Sequence, residues 1–231
     1  MNYFVIGYYA LLIGGSCLAA YFQKREAFLL LFGLTLASFI MGIIGGESAL
    51  WAVTVADIVF GLGLYRYGIY PRRVESLWGI LFAPLVHGSI KHLFSNTLPL
   101  LVLGTALIYG YPRASRMVIP AIVVGAGLGV WLLGRGSYHI GASGITFGLL
   151  SFVFFMGVVR WDPRAIALSC LVFFLYGGMI WGIFPLQAGV SFEYHLAGAA
   201  TGAACVWFCR HTDPPPAPKH YDWEDEDDSE E

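Results

Sequence analysis

The chain has 231 residues, of which 58% are hydrophobic and only 12% are charged. A soluble domain carries about 25% charged residues, so the composition excludes an ordinary soluble protein and favours one embedded in a membrane. The formal net charge is -2, and no basic stripe indicates a nucleic-acid partner.

Apolar stretches of nearly bilayer-spanning length recur along the chain. A helix needs about 20 such residues to cross a hydrocarbon core of about 30 Å. Backbone groups cannot hydrogen-bond to lipid, so these stretches are expected to be helical and the fold to be an all-α polytopic membrane protein. The predicted segments are 3–22, 27–45, 48–65, 93–110, 116–134, 142–159, 164–182 and 193–209.

Three regions are predicted from these segments and from the charge. Residues 1–46 would supply extra N-terminal transmembrane segments, and residues 47–211 would form the core. Residues 212–231 hold nine acidic residues, one lysine and several prolines, which predicts a disordered acidic tail. Basic residues divide equally between the two sides of the core, so charge leaves its orientation open, and the number of crossings stays at seven or eight.

The connector 66–92 leads to the first candidate functional residues. Its apolar part, 77–86, is too short to span and is expected to be interfacial or re-entrant. His92 and Asn96 follow at helical i, i+4 spacing, so both would lie on one face and could donate hydrogen bonds to an oxyanion. The alternative is a polar contact between helices, and His87 would lie just before this helix.

Ser143 stands at the start of an apolar segment in the run Gly141-Ala142-Ser143-Gly144. A serine at a helix start is most often an N-cap, and that alternative stays open from these residues alone. The functional alternative has a physical reason, because free amides and the helix dipole at an N-terminus favour an oxyanion beside the serine.

His195 lies near the start of the last apolar segment, one turn before a pair of glycines, Gly198 and Gly202. The serine segment carries a matching pair, Gly144 and Gly148. Small residues at this spacing let two membrane helices approach closely. Packing one glycine face on the other would bring the imidazole within hydrogen-bond reach of Ser143, as a general base requires.

Taken in order, these motifs resemble those of the rhomboid family of intramembrane serine proteases. The family pattern is a histidine with an H-x-x-x-N pair, then G-x-S-G, then a histidine followed by small residues, and all three occur here in that order. The stretch from Tyr67 through Gly104 resembles rhomboids with a short first loop, and the similarity covers about residues 48–210. The resemblance implies a rhomboid-like six-helix core, with one or two extra N-terminal hydrophobic helices as an addition.

The resemblance also implies roles for individual residues. Ser143 would be the nucleophile and His195 its general base and acid. His92 and Asn96, with the Ser143 amide, would stabilise the oxyanion. His87 would have a structural or water-organising role.

Two positions depart from the usual family pattern. Phe147 stands where the family often has a tyrosine packed against the catalytic imidazole; a phenyl ring still stacks but has no hydrogen bond to donate. Trp78-Gly79 stands where many members have Trp-Arg in the first loop. This departure leaves undecided how substrate access to the site is gated and how the loop is placed in the membrane. Four glycines would support the site: Gly141, Gly144, Gly198 and Gly202.

The resemblance implies a serine endopeptidase that cleaves single-pass membrane proteins in or near their transmembrane segments, with no metal or other cofactor. The compact size favours a prokaryotic plasma membrane. No HExxH motif supports a metalloprotease, and a single Asp57 in the predicted spans leaves an aspartyl protease without its second carboxylate. Paired repeats typical of a transporter are lacking. The alternative kept open is a non-catalytic rhomboid-like protein that binds membrane clients, although such proteins typically lack the serine or the histidine.

Overall fold

The computed structural model describes residues 50–215. The predicted N-terminal segments within 1–46 and the tail from residue 216 onward lie outside the described residues. Between residues 50 and 215 the fold has seven α-helices and no β-strand beyond an isolated bridge between Ile69 and His139. The helices are α1 (Leu50–Phe60), α2 (Gly79–Phe82), α3 (Ile90–Gly110), α4 (Ser115–Leu133), α5 (Ser143–Arg160), α6 (Pro163–Tyr176) and α7 (Phe192–Cys209).

Within residues 50–215, four helices are long and apolar enough to cross a membrane: α3, α4, α5, and α6 with the 3-10 turns of Gly177–Ile183 that continue it. The helix α7 has the same length as α5, but Glu193, Tyr194 and His195 in its first turn lower its mean hydropathy. The predicted fold class is therefore confirmed. The chain is an integral membrane protein with an all-α polytopic fold.

Two helix ends differ from the prediction because local backbone conformation overrides apolar composition. The first predicted core segment was 48–65, but α1 ends at Phe60, where Gly61 and Gly63 adopt positive φ angles of 61° and 66°. Glycine adopts this left-handed conformation without the steric cost that other residues meet. Likewise, α6 ends at Tyr176, and the remainder of the predicted segment 164–182 is a 3-10 helix.

The central helix is α5, which contacts α3, α4, α6 and α7. More than half of it, 56%, is buried in the protein, against 11% for α6 and its extension, whose aromatic surface faces outward. Lipid tails solvate such a surface as well as protein does, so membrane helices gain stability mainly from close packing. The core that α5 forms with its neighbours has as its largest side chains Leu103, Leu107, Tyr111 and Ile122 from those neighbours and Phe152 and Met156 from α5 itself.

The helix α7 packs against α5 through the two predicted pairs of glycines. A Cβ added at Gly198 would overlap the carbonyl of Gly144, and one added at Gly202 would overlap the carbonyl of Gly148. The four glycines therefore lie in one helix–helix contact, with the backbones too close for any side chain between them.

A second close contact joins α7 to α4. A Cβ added at Gly129 would lie 2.6 Å from the Cβ of Ala197, and one added at Gly125 would lie 2.5 Å from the Thr201 hydroxyl oxygen. The helix that carries His195 thus packs closely against both α4 and α5, because small residues line both contacts.

The first loop is anchored at the same end of the fold. Arg72 donates from Nη1 to the carbonyls of Leu132 (3.2 Å) and Gly134 (3.0 Å), which satisfies free carbonyls at the end of α4. Gly79 is pressed against the backbone of Gly68, so that an added Cβ would lie 2.6 Å from its carbonyl carbon. The absence of space explains why glycine, not arginine, follows Trp78.

Thr212 and Asp213, at the start of the predicted disordered tail, form hydrogen bonds with the rest of the fold. Thr212 donates its amide to the carbonyl of Cys209. Asp213 is buried, and its carboxylate accepts hydrogen bonds from the amides of Arg113 (3.0 Å) and Ala114 (2.8 Å) just before α4. The acidic composition of the tail predicted a solvated segment. Asp213 is instead held by two backbone amides at the start of α4, which have no acceptor within that helix.

Candidate active site

Ser143 is the first residue of α5, and its hydroxyl is not used as a helix cap. The cap position is Ala142, and no side chain caps the helix. The preceding Gly141 has φ of 100°, and a Cβ there would lie 2.6 Å from Cε1 of the His92 ring. Glycine is required at this position on both counts, because the backbone turns sharply and passes directly beside the imidazole.

The Ser143 hydroxyl is paired with the imidazole of His195. Its Oγ lies 2.9 Å from Nε2, and the other ring nitrogen, Nδ1, lies 2.9 Å from the carbonyl oxygen of Gly182. A carbonyl only accepts, so Nδ1 carries the ring proton and Nε2 is left as the acceptor for the serine hydroxyl. This is the tautomer that a general base needs.

Packing fixes the plane of the same ring. Phe147, one turn after the serine, stacks on His195 with ring centroids 4.1 Å apart and planes 8° apart. A Cβ added at Gly182 would lie 2.7 Å from the Phe147 ring and 3.2 Å from the histidine Nδ1. The imidazole is therefore held by an aromatic face and a backbone carbonyl, and no carboxylate within residues 50–215 forms a hydrogen bond with it.

The H-x-x-x-N pair lies beside the serine loop. The His92 ring faces Gly141, and Asn96 is buried, not turned toward lipid. The Asn96 amide donates to the carbonyl of His92 at 3.1 Å, which uses one of its two hydrogens. The start of α3 is fixed by Ser89, whose side chain accepts from the His92 amide at 3.1 Å.

His87 supports the loop that leads into Ser143. It is buried, its Nε2 accepts the amide of Ala142 at 3.3 Å, and its ring lies edge-on to His92 with centroids 5.0 Å apart. Burial, and to a lesser extent the neighbouring His92, lowers the pKa of His87 to about 4. The ring is therefore neutral near pH 7, as its acceptor role requires.

The predicted site residues thus divide into three groups. Ser143, His195 and Phe147 meet directly, and His87 and His92 flank the loop before the serine. Asn96 bonds within its own helix. Sequence reasoning missed the carbonyl of Gly182, because a backbone acceptor has no side-chain signature. The one sequence feature that pointed to this contact was Gly182 itself, a small residue in the run Gly177–Ile183.

The fold and the site define a class: a polytopic α-helical membrane protein with a serine–histidine pair at the start of its central helix. The family model of the Rhomboid domain matches residues 74–212, which contain the whole of this pair and its neighbours. The chain belongs to the rhomboid family.

Relatives extend this similarity across bacteria and plants. The uncharacterized protein Rv1337 of Mycobacterium tuberculosis is 40% identical over 172 residues, which cover 68% of this chain and 70% of that protein. The uncharacterized protein ML1171 of Mycobacterium leprae is 36% identical over 170 residues, 68% of this chain and 66% of its own length. RHOMBOID-like protein 4 of Arabidopsis thaliana is 28% identical over 130 residues, 54% of this chain and 32% of its own.

Proposed function

We propose that this protein is an intramembrane serine endopeptidase that uses Ser143 and His195 as a catalytic dyad. The observation that carries the proposal is the chain of two hydrogen bonds, each 2.9 Å, from the Ser143 hydroxyl through the imidazole to the Gly182 carbonyl. A serine hydroxyl is a weak nucleophile, and a base already positioned on it is the requirement for covalent catalysis.

In the proposed reaction, Ser143 Oγ attacks the scissile carbonyl carbon while its proton passes to Nε2 of His195. The resulting imidazolium keeps its Nδ1 proton on the Gly182 carbonyl, and the face of Phe147 stabilises the positive ring. The tetrahedral intermediate collapses when Nε2 returns the proton to the leaving amine. Water, activated by the same nitrogen, then hydrolyses the acyl-enzyme and regenerates the hydroxyl.

The developing oxyanion would lie at the start of α5. The amide of Ser143 belongs to the first helical turn, whose amides have no partners within the helix, and the helix dipole adds a favourable field. His92 would donate from beside Gly141, and Asn96 has a second amide hydrogen that its bond to the His92 carbonyl does not use. Donors of this kind stabilise the transition state more than the substrate.

The proposed substrates are single-pass membrane proteins whose cleavage region is rich in small, helix-destabilising residues. An extended backbone is needed to reach a serine flanked by glycines, and lipid around the fold restricts access to bilayer-embedded chains. The bacterial relatives support a prokaryotic plasma membrane as the location. The proposed mechanism needs no metal or other cofactor.

The competing function is a non-catalytic rhomboid-like protein that binds membrane clients. Such a protein has no need of a hydroxyl bonded to a neutral imidazole of the reactive tautomer. The retained pair therefore favours the enzyme.

The proposal is tested with purified protein in liposomes that contain a reporter transmembrane substrate. We expect the wild type to cleave the reporter and the variants Ser143→Ala and His195→Ala to be equally inactive, since the two residues act as one unit. Thr97→Ser, in α3 and outside the proposed dyad, serves as the folded control. Wild-type turnover by Ser143→Ala would refute the proposal.

A further inference from the structure

A second polar cluster joins the serine loop to the start of the histidine helix. It consists of Arg135, His139, Ser191 and Glu193, and it is called the clasp below. We propose that the clasp is a positioning device that sets the distance between Ser143 and His195. This inference rests on the proposed function, and none of its members was singled out by the motifs.

His139 is the centre of the clasp. It is buried, with 1% of its surface exposed, and Nδ1 lies 2.5 Å from the hydroxyl oxygen of Ser191. Its Nε2 lies 3.1 Å from the carbonyl oxygen of Arg135. Its backbone pairs in both directions with Ile69 of the first loop, at 3.0 and 2.8 Å. One residue therefore ties together the first loop, the serine loop and the segment before α7.

The state of this imidazole follows from its partners. The Arg135 carbonyl only accepts, so Nε2 carries the proton and Nδ1 accepts from the Ser191 hydroxyl. Burial lowers the pKa of His139, which favours this neutral form. Since its accepting nitrogen is occupied and its ring is buried, His139 acts on the reaction only through the loops that it joins.

Arg135 and Glu193 complete the connection at its exposed edge. Arg135 Nε lies 3.7 Å from Glu193 Oε1, and the same carboxylate oxygen accepts the Arg135 amide at 3.3 Å. The guanidinium also donates to the carbonyl of Val190. An exposed ion pair alone contributes little, but here it adds to two backbone contacts that span the same gap.

The clasp is close to both reacting groups along the chain. Only residues 140–142 separate His139 from Ser143. Ser191 is one helical turn before His195, and its carbonyl accepts the His195 amide at 3.2 Å. A shift of Ser191 relative to His139 should therefore change the distance between Ser143 and His195, because only a few residues separate each pair along the chain.

The test compares Ser191→Ala with Ser191→Thr, which keeps the hydroxyl, and with Ser137→Ala, an exposed serine of the loop that carries His139. Turnover, KM and the rate of fluorophosphonate labelling are measured in liposomes, with thermal unfolding as the stability readout. For Ser191→Ala we expect turnover and labelling to fall by about tenfold to a hundredfold at unchanged KM, because misplacement of about 1 Å costs on that order. Ser191→Thr should restore most of the loss, and Ser137→Ala should match the wild type.

Arg135→Gln provides a second test if Ser191→Ala does not fold, since the arginine side chain is 43% exposed. It should lower turnover in the same direction at unchanged KM. A folded Ser191→Ala or Arg135→Gln protein with the turnover of Ser137→Ala would overturn the clasp while leaving the proposed function intact. A wild type that neither cleaves nor labels would instead overturn the proposed function.

Discussion

Replacing Gly198 with alanine should separate α5 and α7, the helices that carry Ser143 and His195, by a measurable amount. The new Cβ would overlap the Gly144 carbonyl oxygen and lie 2.8 Å from the carbonyl carbon and 3.1 Å from Cα. Carbon atoms make ordinary contact at about 3.5–4.0 Å, so α5 and α7 must move apart by roughly 1 Å. The Ser143–His195 hydrogen bond, now 2.9 Å, would lengthen to about 4 Å and be lost.

A displacement of about 1 Å is expected to lower turnover about 100-fold, equivalent to about 2.8 kcal/mol in the barrier. The assay is reporter cleavage in liposomes, with helical content and thermal unfolding measured on the same sample. Gly104→Ala is the matched control, because this glycine also lies within a membrane helix but an added Cβ there meets nothing within 4 Å among residues 50–215. If folded Gly198→Ala protein cleaves as fast as Gly104→Ala protein, the claim that glycine packing sets the dyad distance is refuted.

Three further predictions concern the surroundings of the site. Gly182→Ala should push Phe147 off the imidazole and lower turnover at constant KM, whereas equal turnover would show that the stack is dispensable. Asp213→Ala, and truncation after Thr212, should each cost about 1–3 kcal/mol in unfolding free energy, because the buried amide of Ala114 and the part-buried amide of Arg113 lose their acceptor. Truncation after Pro215 should leave the unfolding free energy unchanged, and thermal unfolding of the three proteins tests both expectations. The pKa of His87 in the folded protein is about 4, below the usual 6.5, so its contribution to stability is complete above pH 6.5 and is lost as the pH falls toward 4, by a total on the order of 3 kcal/mol. The variant His87→Gln should therefore show a smaller decline in unfolding temperature between pH 7 and 5 than the wild type. An equal decline in both proteins would contradict this.

The parts of the site that the sequence could predict are those carried by side-chain pattern. Membrane helices are visible as apolar runs, and the glycine spacing in the segments of Ser143 and His195 selects the faces that meet. The pairing of hydroxyl and imidazole follows from that contact, because both residues lie within one turn of it. The stacking of Phe147 follows from its position one turn after the serine.

The parts that could not be predicted depend on the backbone or on contacts between distant loops. The Gly182 carbonyl fixes the tautomer of His195, but any residue has a carbonyl, and only the folded chain brings this one to the ring. His139 and Ser191 are 52 residues apart in loops with no periodic pattern. Asp213 finds its two amide donors about 100 residues earlier, and the acidic, proline-rich composition around it conceals that contact.

The most direct test of the account is the location of a fluorophosphonate adduct on the purified full-length protein, determined by peptide mass spectrometry. The account predicts one adduct, on Ser143, that is absent from Ser143→Ala and greatly reduced in His195→Ala. It also predicts no adduct on Ser191, although that serine is paired with a histidine as well. Failure of the folded wild type to react, or an adduct on Ser191 with Ser143 unmodified, would contradict the assignment of the catalytic dyad.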